Sequence, residues 1–306
     1  MRCLVTGGAG FIGSNLCERL LNEGHEVICY DNFIAGKTEN VFHLLDRDFR
    51  IVRADVRDHK MLDRAMNGVD YVFHQAASKK NVCDIRPDID CEVNAKGTFL
   101  VCQAAKKHNV KKIIHASTGS VYGEQKYLQE SSPLMPVSYY GVSKLAGEKY
   151  VAMFGIPYTI FRYFHVYGPR QDAGNFGGVV AIFISRFLKK QPVTIFGNGD
   201  QVRSFTFVSD VVWANILAMN ELGKLTSRQE PCVYNCASGI KISLNELLDI
   251  LDEKIGKVER IYEPWKPGDI KHFAVDNSNI INDYHIEFTD FKTGLDATIR
   301  YYQSVD

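Results

Sequence analysis

Short apolar runs alternate, through the first half of the chain, with stretches whose apolar positions recur every three or four residues. Arg2–Val5, Glu26–Tyr30, Arg50–Arg53, Val69–Phe73 and Lys112–His115 are the short runs, and each predicts a strand buried on both faces. After the first run, Phe11, Ile12, Leu16, Leu20 and Leu21 repeat at helical spacing; Met61–Met66 and Ala95–Lys107 do so later. Ser138 caps a further helix with its periodicity over Tyr140–Met153, and Tyr158–Phe164 is a sixth strand. This βαβαβ order predicts an α/β fold with a doubly wound parallel sheet and ligands at the carboxyl ends of its strands. The second half is less regular. Val179–Leu188 reads as an apolar helix, Thr194–Asp200 as a strand and turn, Phe205–Val208 as a strand, Asp210–Met219 as a helix and Val233–Ala237 as one more sheet strand. Ser243 and Glu246 form a capping box for a helix through Leu251, and the remainder reads as short helices ending at Tyr301 and Tyr302.

The turn between the first strand and its helix holds Gly7, Gly10 and Gly13, a G-x-x-G-x-x-G pattern. One glycine makes the tight turn, one lets the backbone approach a pyrophosphate, and one lets helix pack on strand; the pyrophosphate then sits on the free amides of the helix start. Asp31 ends the second strand 18 residues after Gly13. A carboxylate there accepts hydrogen bonds from the ribose hydroxyls and repels a 2′-phosphate, which favours NAD over NADP. Asp31 also reads as an Asp that opens a turn with Asn32, and Asp55, beside Val56, reads nearly as well that way. His74-Gln75-Ala76-Ala77 closes the fourth strand with small residues that let a flat ring pass, or that pack helix on sheet. Asn94 is a poor helix former inside a helical pattern, so it contacts either a cofactor or a neighbouring loop.

His115-Ala116-Ser117-Thr118-Gly119-Ser120 ends the fifth strand in hydroxyls, and Tyr140-Gly-Val-Ser-Lys144 follows 22 residues after Thr118. At i and i+4, Tyr140 and Lys144 share a helix face. A free phenol, with a pKa of about 10, is a weak base at neutral pH; an adjacent ammonium and a positive nicotinamide are expected to favour its ionised form. The same pair also reads as a surface i,i+4 contact.

Composition narrows the function class. The 306 residues carry 36 basic and 36 acidic side chains, so no net charge argues for nucleic acid or an anionic membrane. No apolar stretch has the length of a bilayer span, and the chain opens directly in a strand pattern, so no leader is expected. The eight cysteines are scattered without metal-site spacing, which predicts reduced thiols, a cytoplasmic location and no metal.

These motifs, in this order, resemble the extended short-chain dehydrogenase/reductase family, and within it the nucleotide-sugar epimerase/dehydratase group. The resemblance runs from Met1 to about residue 300. It implies a Rossmann domain over residues 1–168, with 205–238 returning to it, and a smaller mixed α/β C-terminal substrate lobe over 169–204 and 239–306. It implies tightly held, recycled NAD on Gly7, Gly10, Phe11, Ile12, Gly13, Asp31, Asn32, Asp55, Val56, Ala76, Ala77, Lys79, Asn94, Ser117, Tyr140, Lys144 and Tyr163. Thr118, Tyr140 and Lys144 take the catalytic roles. A UDP-sugar is expected to meet Thr118, Tyr140, His165, Val180, Phe196, Arg203, Lys266 and Asp269. Members pair two helices per subunit into dimers; here these match about Thr98–Lys107 and Tyr139–Met153.

Family 4,6-dehydratases resemble Thr-Asp-Glu where this chain has Thr118, Gly119 and Ser120, and UDP-glucuronate decarboxylases keep a Glu at the place of Ser120. Without those acids the set left suffices for oxidation and reduction, which points to C4 epimerisation of a UDP-sugar through a 4-keto intermediate. UDP-glucose, UDP-galactose, UDP-glucuronate and UDP-N-acetylglucosamine are the candidates. His165 stands where the family pattern has Asn, and Lys266 where it has Arg. Those departures keep open a reaction at another carbon or on another nucleotide, and a non-catalytic NAD-binding sensor or scaffold is the alternative of another class.

Overall fold

A computed structural model describes residues 1–174, 176–221, 232–265 and 274–305. Seven strands form one parallel sheet: β1 (Arg2–Thr6), β2 (Glu26–Asp31), β3 (Phe49–Arg53), β4 (Tyr71–His74), β5 (Lys112–Thr118), β6 (Tyr158–Tyr163) and β7 (Val233–Cys236). Their order is β7-β6-β5-β4-β1-β2-β3. The winding reverses between β1 and β4, so the crevice beyond their carboxyl ends is where a doubly wound sheet takes its ligand.

Both faces of the sheet are buried, as its apolar runs require. Cys3, Val5, Val27 and Cys29 join one core, while Leu4, Ile28 and Tyr30 join another, the two-residue period of a strand. Helices α1 (Phe11–Asn22) and α6 (Val208–Asn220) cover the first face; α2 (His59–Ala65), α3 (Thr98–Lys107) and α4 (Tyr139–Met153) cover the second. The first core continues into α5 (Val179–Leu188), α7 (Leu244–Lys254) and α8 (Phe291–Val305), so the C-terminal helices share it. Among the described residues four two-stranded ladders brace this part; in one, Val193–Phe196 pairs in parallel with Arg260–Glu263. Among the described residues no helix is long and apolar enough to cross a membrane.

Some elements differ from the sequence pattern. The expected strand Phe205–Val208 is only Thr206–Phe207, paired with Val166–Tyr167, and Val208 already begins α6. Apolar residues on both sides of that boundary hide it. The C-terminal end is one fifteen-residue helix rather than short pieces, because Phe291, Leu295, Ile299 and Tyr302 keep a single buried stripe. Ahead of α3, residues Cys91–Gly97 wind as a π-helix, which periodicity does not show. Ser243 and Glu246 do close a reciprocal capping box on α7.

Candidate active site

The turn after β1 is built for close backbone approach. Gly7 has φ +68°, and a Cβ on it would lie 2.8 Å from the Ala76 amide nitrogen. On Gly13 a Cβ would fall 2.1 Å from the Gly7 carbonyl oxygen. Gly10 caps α1 with no side-chain partner, so the first amides of a twelve-residue helix face the cleft without internal acceptors. Asp31, 7% exposed, ends β2 and accepts hydrogen bonds from the Ala9 and Phe33 amides at 3.0 and 2.7 Å. Burial pushes its pKa up, and those amides pull against the shift. An open cleft of about 1450 Å³ runs from here between the β1 and β4 ends.

Gly7, Gly10, Phe11, Ile12, Gly13, Asp31, Asn32 and Val56 line one half of it, and Ala76, Ala77, Lys79, Ser117, Tyr140, Lys144 and Tyr163 the other. Ser138 accepts from the Gly141 amide at 3.1 Å and so starts α4, which aims Tyr140 and Lys144 into the cleft. The Tyr140 hydroxyl is enclosed, with Thr118 as its polar neighbour. Burial raises its pKa to about 12, with Thr118 pulling downward. Desolvation is the dominant influence on the phenol, against which the ammonium and the nicotinamide are expected to act together. Burial also lowers Lys144 to about 8, opposed by Glu148 and then Asp90.

A family model for the NAD dependent epimerase/dehydratase family matches residues 3–237. The chain belongs to this family. A putative UDP-glucose 4-epimerase of Methanocaldococcus jannaschii is 39% identical over 285 residues, 89% of each chain. The UDP-glucose 4-epimerase of Thermotoga maritima, solved with UDP-glucose, superposes with a TM-score of 0.91 at 35% identity, covering 100% of this chain and 99% of that one. The UDP-glucuronic acid 4-epimerase of Bacillus cereus, solved with UDP-glucuronic acid and NAD, gives 0.89 at 31% identity over 100% of both.

In this epimerase/dehydratase several expected contacts lie off the cleft. Asp55 pairs with Arg57 at 2.8 Å, which lowers its pKa to about 2, and it accepts from Asn32 at 2.8 Å. It stands behind Asn32 and does not itself line the cavity. Asn94, 1% exposed, is spent on the protein: it accepts from the Ser78 amide at 2.8 Å and donates to Asp90 at 2.6 Å. Val180 is buried in the core, which leaves a ligand only its backbone at the start of α5. Phe196 and Arg203 also lie outside the lining, and Lys266 and Asp269 outside the described residues. His165 takes φ +37° and meets Phe205 edge-on at 6.0 Å. The walls around it, then the Arg203 charge, hold its pKa below the ordinary imidazole value, although much of the residue is open to solvent.

Other features escaped the sequence. The segment of residues 168–174 and 176–178 adds Arg170, Asp172 and Phe176 to the cleft wall. Asp172 pairs with Lys37 at 2.9 Å from one rim, and Lys79 donates to the Phe176 carbonyl at 2.5 Å from the other. The glycines at 168, 174, 177 and 178 were its only signal. Asn215, from α6, donates to the Tyr163 hydroxyl at 2.8 Å and accepts from Gln75 at 3.1 Å, which fixes the floor. Behind the site Glu148 accepts Ser117 at 2.5 Å and holds Arg162 through two nitrogens at 3.0 and 2.8 Å, both side chains 4% exposed.

Proposed function

We propose that this NAD-dependent enzyme epimerises C4 of a UDP-sugar with Tyr140 as the proton-transfer group. The observation that carries the reading is the placement of Tyr140 and Lys144 one turn apart on one face of α4, both lining the cleft beside Ser117 at the end of β5. The glycine cradle, where a Cβ on Gly13 would meet backbone at 2.1 Å, fits a dinucleotide pyrophosphate, and Asp31 fits its ribose. Gly7, Gly10, Gly13 and Asp31 would hold NAD at one end, with Ser117, Tyr163 and Lys144 at the other; when bound it supplies reversible hydride acceptance. Tyr140 removes the proton of the sugar 4-hydroxyl while Thr118 bonds the same oxygen. The resulting 4-keto sugar turns over within the cleft, and Tyr140 returns the proton after reduction on the opposite face. Lys144 offsets the developing phenolate charge. Gly119 offers no side chain and Ser120 only a hydroxyl where dehydration needs an acid and a base, which supports epimerisation.

The test incubates protein and NAD with UDP-glucose, UDP-glucuronate, UDP-N-acetylglucosamine and UDP-xylose and resolves products by proton NMR. A C4 epimer of one is expected, and Tyr140→Phe is expected to keep NAD and lose about 10²–10⁴-fold in turnover. No epimer from any sugar refutes the reaction; near-normal turnover of the variant refutes the role of Tyr140.

We also infer a homodimer through α3 and α4. Tyr139, Val142 and Met153, 62, 54 and 80% exposed, form an apolar stripe at helical spacing on the outer side of α4. The free state of all eight cysteines supports a cytoplasmic location.

A further inference from the structure

Asp90 closes the short helical turn Pro87–Asp90, just before the π-helix, and is 1% exposed. Three donors converge on its Oδ1: Cys83 Sγ at 2.8 Å, Asn94 Nδ2 at 2.6 Å and Ser143 Oγ at 2.9 Å. Each comes from a different part of the site. Cys83 belongs to the segment after β4 that carries Lys79; Asn94 sits in the π-helix and clamps Ser78; Ser143 adjoins Lys144 on α4. Among the described residues no lysine or arginine forms an ion pair with Asp90.

Of the other titratable groups facing Tyr140 and Lys144, Glu148 also acts on Lys144 and the rest are uncharged. Glu148, on the same helix, is balanced by Arg162. His74 from β4 and His115 from β5 are fully enclosed and held neutral by burial, their rings 5.1 Å apart. The Cys83 thiol is pushed up to about 12 and keeps its proton. Asp90 is thus the one described carboxylate near the pair that no cation on its own side cancels.

Resting on the function just proposed, we propose that Asp90 is a positioning residue: a buried negative charge that ties the Lys79 segment to the catalytic helix and favours the protonated forms of Tyr140 and Lys144. A carboxylate at that place attracts the ammonium and repels a phenolate. It thereby sets the pH range of turnover without touching the substrate.

Because all three donors meet one oxygen, Asp90→Asn can keep them on its amide carbonyl and remove only the charge. In the NAD-loaded enzyme, this variant is expected to melt within about 2 °C of the parent, with both limbs of the kcat/KM profile moved to lower pH by about one unit. Ser143→Ala, which drops one donor and keeps the charge, is expected to leave the profile in place. A second readout needs no turnover: tyrosinate absorbance, as the difference between each protein and its Tyr140→Phe form, is expected to titrate at lower pH in Asp90→Asn. An unmoved profile and unmoved tyrosinate titration overturn the proposal. So does a melting loss in Asp90→Asn as large as in Asp90→Ala, which would make the residue structural, or an equal pH shift in Ser143→Ala. If the parent epimerises no UDP-sugar, the functional reading fails, and the tyrosinate titration still decides the place of Asp90.

Discussion

Replacing Lys144 by Met is expected to stabilise the nucleotide-free protein while abolishing its turnover. Lys144 is 2% exposed, and burial lowers its pKa from 10.5 to about 8 despite Glu148 and Asp90. At 1.36 kcal/mol per pH unit, that drop is an unfavourable charge burial of about 3 kcal/mol. Below pH 8 the amine is protonated in folded and unfolded chains alike, so the folded state bears the whole penalty. Between pH 8 and 10.5 the folded amine loses its proton first; the unfolded state then binds more protons, and stability rises with pH. Met keeps the apolar stem without the charge. The variant's advantage is therefore expected to be about 3 kcal/mol at pH 7, or about 5 °C in Tm for a chain of this length, and to vanish near pH 10.5. Thermal unfolding of parent and variant from pH 7 to 10.5 reads both numbers. A variant no more stable than the parent at pH 7, or a gain that persists undiminished at pH 10.5, refutes the reasoning.

Two further outcomes test the frame around the site. Gly13→Ala places a Cβ 2.1 Å from the Gly7 oxygen, so the glycine turn must open, and NAD affinity by titration calorimetry is expected to fall more than about tenfold; unchanged affinity refutes the cradle. Arg162→Met strands the buried Glu148 carboxylate and is expected to destabilise by about 3–5 kcal/mol in urea unfolding, so a loss below about 1 kcal/mol would show that Glu148 finds other compensation.

The dinucleotide half of the molecule was legible because its chemistry is local. Gly7 and Gly10 are read by a turn four residues long, Gly13 by the first turn of α1, and Asp31 by its place at a strand end. The Tyr140–Lys144 pair needs only one helical turn. What was hidden depends on contacts far apart in sequence. Asn215 reaches Tyr163 across 52 positions, and Lys79 reaches Phe176 across 97. Asn94 looked equally suited to a cofactor or a loop, since its three protein partners come from separate segments. The π-helix at Cys91–Gly97 leaves no mark, because its one extra residue per turn breaks the very periodicity by which helices are found.

Helix α4 also limits how the chain can vary in length. Gly141, Ser143, Lys144, Gly147 and Glu148 lie on its buried side, while Tyr139, Val142 and Met153 lie outside. One residue inserted between Tyr140 and Lys144 would turn everything beyond it by about 100° relative to the phenol. The ammonium would leave the phenol's face and the outer stripe would split in the same event. The stretch from Gln129 to Val137 forms no helix or strand and is mostly exposed or half-buried, so a length change there can be taken up before Ser138 restarts the register. Insertions and deletions in descendants of this gene should therefore collect just ahead of the helix and spare its first two turns.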